Sequence, residues 1–271
     1  MSSYVITGAS RGIGWALLEN VSRSPENKVI GLVRNKASVD KRVAEELKDR
    51  SNITIIQADL TDYAALERAA KQTSELTGGS LDYLIANGAL LTFTDSYDVE
   101  NFVKYNGGEG AAQFLRDAFE TNVIGNFNLY SLFTPLILKG NKKKVMAISS
   151  GHADLNLVTE HQLDGLPAYA ASKAAHNMIT AKFHARYAKD GVLFMSVCPG
   201  TVDTLDFSKL NEAQQATTNN MVAIFKKLQP NWTGPKAPST SAEELLKILE
   251  ESTIETKGGK YFSHTGTDSW L

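Results

Sequence analysis

Short apolar runs alternate with longer stretches of helical period along this chain. The runs lie at 3–7 (SYVIT), 28–33 (KVIGLV), 53–57 (ITIIQ), 81–86 (LDYLIA), 144–149 (KVMAIS) and 192–198 (VLFMSVC), with a short seventh at 260–262 (KYF). Most are continuously apolar rather than alternating, as strands buried on both faces of a parallel sheet are. Between them, helical patterns fall near 13–22, 37–50, 62–76, 111–138, 168–189, 212–228 and 241–251. Strand and helix repeated in this order predict an α/β, doubly wound Rossmann fold: a central parallel sheet of about seven strands with helices on both faces and right-handed crossovers. No linker divides the chain, so 1–271 is expected to form one domain. The most irregular stretch, LQPNWTGPKAPSTSAEE, reads as a loop inside it.

Composition narrows the partners. The 271 residues carry a formal net charge of -2 and are 42% hydrophobic. That balance gives no reason to expect nucleic acid or a membrane surface, and no apolar run is long enough to span a bilayer. The opening MSSYVITGAS lacks the charged start and apolar core of a secretory signal. One cysteine, Cys198, excludes an internal disulfide. These features together point to a cytoplasmic protein, and Cys198, placed between an apolar strand and Pro199, reads as an inert buried thiol.

Two stretches carry candidate chemistry. VITGASRGIGWALLE places Gly8, Gly12 and Gly14 between a strand and a helix. Glycine there permits positive φ and close approach of a phosphate to the backbone, and the helix N-terminus offers free N–H groups to it. AYAASKAA places Tyr169 and Lys173 four apart, on one helical face. Either a lysine stem covers a half-buried ring, or an ammonium lowers the pKa of a phenol so that it exchanges a proton near neutral pH. The second strand ends Val33-Arg34 with no carboxylate. An acidic residue at that point would receive an adenosine ribose hydroxyl, whereas Arg34 suits a 2′-phosphate.

TGASRGIG together with Tyr169-Ala-Ala-Ser-Lys173 resembles the short-chain dehydrogenase/reductase family, and the resemblance runs the whole chain in order. QADLTD at 57–62 is similar to the segment whose aspartate, here Asp59 beside Leu60, meets adenine. LDYLIANGA resembles an Asn-Asn-Ala-Gly stretch of which Asn87 alone matches in place. FETNVIGNF carries Asn122, VMAISSG carries Ser150 (preferred by position to Ser149), and CPGTVDT resembles a segment that meets the nicotinamide. The ending GGKYFSHTGTDSWL resembles a subgroup of fungal ketoreductases and bacterial C-factor-like proteins. The resemblance implies an NADPH-dependent ketone or aldehyde reductase acting on a small-molecule carbonyl compound, with an aromatic or polyketide-like ketone among the candidates. Tyr169 would be the general acid, Ser150 would hold the carbonyl oxygen, Lys173 would tune Tyr169 and bind the ribose, and Asn122 would fix a water beside Lys173. NADP(H) would meet Gly8, Ser10, Arg11, Gly12, Ile13, Gly14, Arg34, Asp59, Leu60, Asn87, Tyr169, Lys173, Pro199, Gly200, Val202 and Thr204. The family also implies a homodimer or homotetramer.

Eighteen residues separate Ser150 from Tyr169, more than the family's usual spacing. The segment 151–167 should therefore form a longer loop at the mouth of the site and influence substrate choice. Residues 205–235, with Phe207, Phe225 and Trp232, read as a substrate loop or lid, each aromatic lining a pocket or packing in the core. His152, His161, His176, His184 and His264 show no metal-ligand spacing; a substrate contact stays open for His152 and His161. Two other functions remain: an alcohol dehydrogenase working in the oxidative direction, and a non-catalytic sensor of the dinucleotide, which would have no need of Tyr169.

Overall fold

The computed structural model describes residues 1–267, Ser269 and Trp270; for Phe207 only the backbone is described, so the expectation for its side chain lies outside the described residues. The chain begins with β1 (Ser3–Thr7), α1 (Gly12–Val21), β2 (Lys28–Val33), α2 (Lys36–Glu46), β3 (Ile53–Gln57), α3 (Tyr63–Thr77) and β4 (Tyr83–Ala86). It continues through α4 (Val99–Lys104), α5 (Glu109–Phe119), α6 (Gly125–Ile137), β5 (Lys144–Ile148), α7 (Leu155–His161), α8 (Pro167–Tyr187) and β6 (Leu193–Cys198). It ends with α9 (Glu212–Leu228), α10 (Pro238–Glu251), α11 (Ile254–Lys257) and β7 (Tyr261–Ser263).

All seven strands join one parallel sheet in the order β3-β2-β1-β4-β5-β6-β7. Successive strand residues face opposite sides, and the apolar runs feed two cores. Ile6, Val33, Ile85, Met146 and Met195 pack under α1, α2 and α10. Val5, Leu32, Leu84, Val145 and Phe194 pack under α3, α6 and α8, around the buried aromatic rings of Tyr130 and Phe133. Burial on both faces explains why the strands are continuously apolar. Local caps set several helix starts: Asn35 accepts from the Ser38 N–H at 3.1 Å and Asp62 from the Ala65 N–H at 2.9 Å.

The structure corrects three sequence expectations. The segment 151–167 is not simply a loop. After a short turn at Gly151–Ala153 it forms α7, whose N-terminus is capped by Asp154 accepting from the Leu157 N–H at 2.7 Å. The helix expected over 111–138 is interrupted by a π turn, Glu120–Ile124, between α5 and α6. Such a turn re-aims side chains within a helix. It is followed by Gly125, where an added Cβ would meet the Leu60 carbonyl oxygen at 2.7 Å, so α6 starts in close contact with the β3–α3 loop. The short helix α4 falls in a stretch where no helix was expected.

Strand order reverses direction around β1 and β4, and a cleft opens there at the carboxyl ends of the strands, where ligands of such sheets bind. Among the described residues no helix is long and apolar enough to cross a membrane.

Candidate active site

The cleft has a volume of about 620 Å³. One end is the glycine turn. Gly8 and Gly12 adopt φ of +67° and +56°, the left-handed region that glycine enters without strain. Gly14 is needed for a different reason: an added Cβ would lie 2.3 Å from the Gly8 carbonyl oxygen. Asn87 closes the turn from the β4 side, its amide donating to the Thr7 carbonyl at 3.0 Å and to that of Gly8 at 3.4 Å. The Gly88 N–H donates to the Thr7 hydroxyl at 2.8 Å. Asn87 is therefore a strut of the turn as well as a lining residue. Arg42 was not singled out in the sequence; it donates to the Ser10 carbonyl at 3.1 Å and lies over the Trp15 ring, 3.9 Å from its centroid.

These features fit a dinucleotide. The backbone at Gly8 and Gly12 is bare, α1 starts without a side-chain cap on its N–H groups, and its first turn has no acidic residue. Gly8, Ser10, Arg11, Gly12, Ile13, Arg34, Asp59, Leu60, Asn87, Tyr169, Lys173, Pro199 and Thr204 all line the cleft. Arg11 and Arg34 are exposed. Gly14, Gly200 and Val202 do not line it. Gly14 packs beneath the turn, Gly200 (φ +76°) lies against the His264 ring, and Val202 pairs with Lys236 in an isolated bridge. Asp59 accepts from the backbone and the hydroxyl of Thr61, both at 3.0 Å, which shapes the loop after β3.

At the other end stand Tyr169 and Lys173, on one face of α8 as their spacing requires, with the Lys173 Nζ 5.5 Å from the Tyr169 ring centroid. Lys173 is fully buried and donates to the Ile148 carbonyl at 2.6 Å. Burial lowers its ammonium to a pKa of about 8, with Cys198 opposing the change. The expected lowering of the Tyr169 pKa is not found. Desolvation holds the phenol above its ordinary value, Cys198 and Asp95 add to the rise, and only the Ser150 hydroxyl works the other way. The physical reason is that burial penalises the charged phenolate, and desolvation is the largest cause of the rise.

Of the two serines, Ser149 lines the cleft but is buried, with its hydroxyl donating to Asn177 on α8 at 2.7 Å, whereas Ser150 does not line the cleft but stands beside the Tyr169 phenol. The Ser150 loop is braced by two contacts, and one of the bracing residues is itself held by stacking. The Ser150 carbonyl accepts from the Tyr261 hydroxyl, the Gly151 N–H donates to the Cys198 Sγ at 3.0 Å, and Tyr261 stacks on Trp270 at 4.6 Å. Cys198 is buried, with its thiol pushed up to about 11 by desolvation. Asn122, in the π turn, is buried and lies off the cleft wall. Its side chain accepts from the Leu90 N–H at 2.6 Å and donates to the Leu90 carbonyl at 3.1 Å and to Ser172 at 2.9 Å. The amide thus ties the loop after β4 to α8. His152 packs beside Phe225, which meets Trp232 edge to face at 5.6 Å, and its imidazole is held neutral, near a pKa of 4, by burial. Among the described residues no group of acidic, histidine or cysteine side chains could hold a metal.

Sequence reasoning also missed Asp95. It is fully buried, and its carboxylate accepts from the Ala168 N–H at 3.1 Å and the Tyr169 N–H at 2.6 Å. Burial raises its pKa to about 6 despite those two bonds, and Tyr169 is the ionisable group facing it. Because the folded value exceeds the unfolded one, the native state holds more proton between about pH 4 and 6. This residue's contribution to stability is therefore greatest below that window and falls as pH rises through it. Asp95→Asn should flatten the stability–pH curve there by on the order of 2–3 kcal/mol relative to the unmodified protein. Chemical denaturation from pH 4 to 7 measures the difference; parallel curves for the two proteins would show that Asp95 does not titrate in this range.

A dinucleotide cradle joined to a paired tyrosine and lysine defines an oxidoreductase of the Rossmann type. Residues 3–215 match the short chain dehydrogenase family, and the chain belongs to that family, whose members use nicotinamide dinucleotides. It is 46% identical to the short chain dehydrogenase virK of Hypocrea virens and 38% identical to the short-chain dehydrogenase/reductase iacC of Pestalotiopsis fici, covering all of each. The fold is shared with an NADPH-bound carbonyl reductase from chicken fatty liver, at TM-score 0.77 and 21% identity over 98% of both chains. Carbonyl reductase Sniffer of D. melanogaster gives TM-score 0.76 and 21% identity over the same share of each chain.

Proposed function

We propose that this protein reduces a ketone or aldehyde to an alcohol with NADPH. The carrying observation is the pairing of Tyr169 and Lys173 at one end of a cleft whose other end is the glycine turn, with the Ser150 hydroxyl beside the Tyr169 phenol. The reduced dinucleotide supplies the hydride when bound. Tyr169 donates its phenolic proton to the carbonyl oxygen as negative charge develops there. Ser150 hydrogen-bonds the same oxygen and fixes its position. Lys173 helps to hold the ribose and places a positive charge behind the phenol. The structural relatives include a carbonyl reductase bound to NADPH.

In this reading the substrate enters between the Ser150–α7 segment and residues 205–235, with α9 as a cover that excludes water. Phe225 and Trp232, packed edge to face behind this entrance, would make the neighbourhood of the substrate apolar, in keeping with an aromatic or polyketide-like ketone. Exposed Phe119, Ile124, Phe127 and Met178 on α5, the π turn, α6 and α8 support assembly as a homodimer or homotetramer. NADPH consumption with a panel of aromatic and polyketide-like ketones tests the function. Turnover of at least one is expected; tight binding of NADPH with no turnover would identify a sensor instead.

A further inference from the structure

The proton donor sits in the first turn of α8, and that turn has no local cap. Leu166, the residue before it, is left-handed at φ 61°, an uncommon state for a branched side chain, and supplies no capping hydrogen bond. Pro167 has no N–H to satisfy. The next two N–H groups, those of Ala168 and Tyr169, are helix-end donors that need acceptors. Both are satisfied by Asp95, more than 70 residues earlier in the chain, through one oxygen each. A fully buried carboxylate is tolerated when charge-assisted bonds hold it at the positive end of a helix.

Asp95 is in turn part of a bridge to the substrate loop. Gln214 on α9 donates to the Phe93 carbonyl at 2.6 Å, Asn211 donates to the Tyr97 hydroxyl at 2.7 Å, and the Asp98 N–H donates to the Thr217 hydroxyl at 3.1 Å. Residues 93–98 therefore touch α9 on one side and the backbone of Tyr169 on the other.

We infer that Asp95 is a positioning residue: its carboxylate clamps the backbone of Tyr169, and residues 93–98 link the seating of α9 to the placement of the phenol. The inference rests on the reading of Tyr169 as proton donor. A flexible N-terminal turn would let the hydroxyl wander by enough to cost rate without weakening the dinucleotide site. The linkage also gives residues 205–235 a second task besides covering substrate.

The test compares the unmodified protein with Asp95→Asn, Asp95→Ala and Gln214→Ala by four readouts: kcat, KM, NADPH affinity from fluorescence quenching, and hydrogen exchange of the segment 166–173. Asp95→Ala should lower kcat by tenfold or more, with NADPH affinity within about threefold of the unmodified protein. Asp95→Asn should lose less, because its one amide oxygen still accepts a single N–H. Exchange of 166–173 should accelerate in both, at a temperature where each is fully folded. Gln214→Ala should lower kcat about threefold or more and decides the matter if neither Asp95 variant folds. Unchanged kcat and unchanged exchange across the folded variants would overturn the inference. If the unmodified protein reduces no carbonyl compound, the proposed function fails, while the exchange data still report whether Asp95 clamps the turn.

Discussion

Tyr169→Phe should retain NADPH and lose carbonyl reduction by about 10²–10⁴-fold, the range typical for removal of a positioned general acid. The substitution removes a single hydroxyl. The ring remains beside Lys173, and the Asp95 bond to the Tyr169 backbone does not involve the side chain. Loss of rate would therefore report the missing proton rather than a collapsed site. The Ser150 hydroxyl lies beside the phenol, and desolvation holds the phenol above its ordinary pKa. NADPH binding by fluorescence and single-turnover rates with the best ketone separate the two effects. Near-normal turnover in the variant would place the proton source elsewhere.

Arg34→Ala should weaken NADPH by about 10–100-fold and leave NADH nearly unchanged. Hydrogen bonds to a charged group contribute roughly 1.5–3 kcal/mol, and about 1.4 kcal/mol corresponds to a factor of ten. Arg34 follows the last residue of β2 and lines the cleft, where an acidic residue would repel a 2′-phosphate. Arg11 lines the same cleft from the glycine turn, so the double variant should lose more than either alone. Arg42 is occupied by Ser10 and by Glu46, whose carboxylate it meets at 2.9 Å; it stiffens the turn. Comparable kcat/KM for NADPH and NADH in the unmodified protein would show that these arginines do not read the phosphate.

The sheet was legible in the sequence because burial on both faces leaves a plain signature, a short β-rich apolar run closed by glycine or polar residues. Most strand limits differ from expectation by a residue or less; Leu81 and Asp82 fall outside β4, where the Asp82 carboxylate instead accepts from the backbone of Ser3 and Asn141. The Tyr169–Lys173 face was legible because helical spacing is local. The direction of the Tyr169 pKa was not, since desolvation depends on what packs over a side chain and no spacing reports it. Asp95 was hidden for a related reason. Its partners are 73 and 74 residues away, and the only clue was negative: α8 opens Leu166-Pro167-Ala168 with no capping side chain of its own. The helix α7 was missed because segment length alone was read as loop, although Asp154 three residues before Leu157 is a local cap signal.

The most direct test of the account is to follow the hydride. NADPH carrying deuterium at the transferable position of the nicotinamide is incubated with the protein and a reactive ketone, and the alcohol is weighed by mass spectrometry. The account expects an alcohol one mass unit heavier than that formed with unlabelled NADPH, with the label on the former carbonyl carbon. An alcohol without the label, or bound NADPH that is never consumed with any carbonyl compound offered, would contradict it.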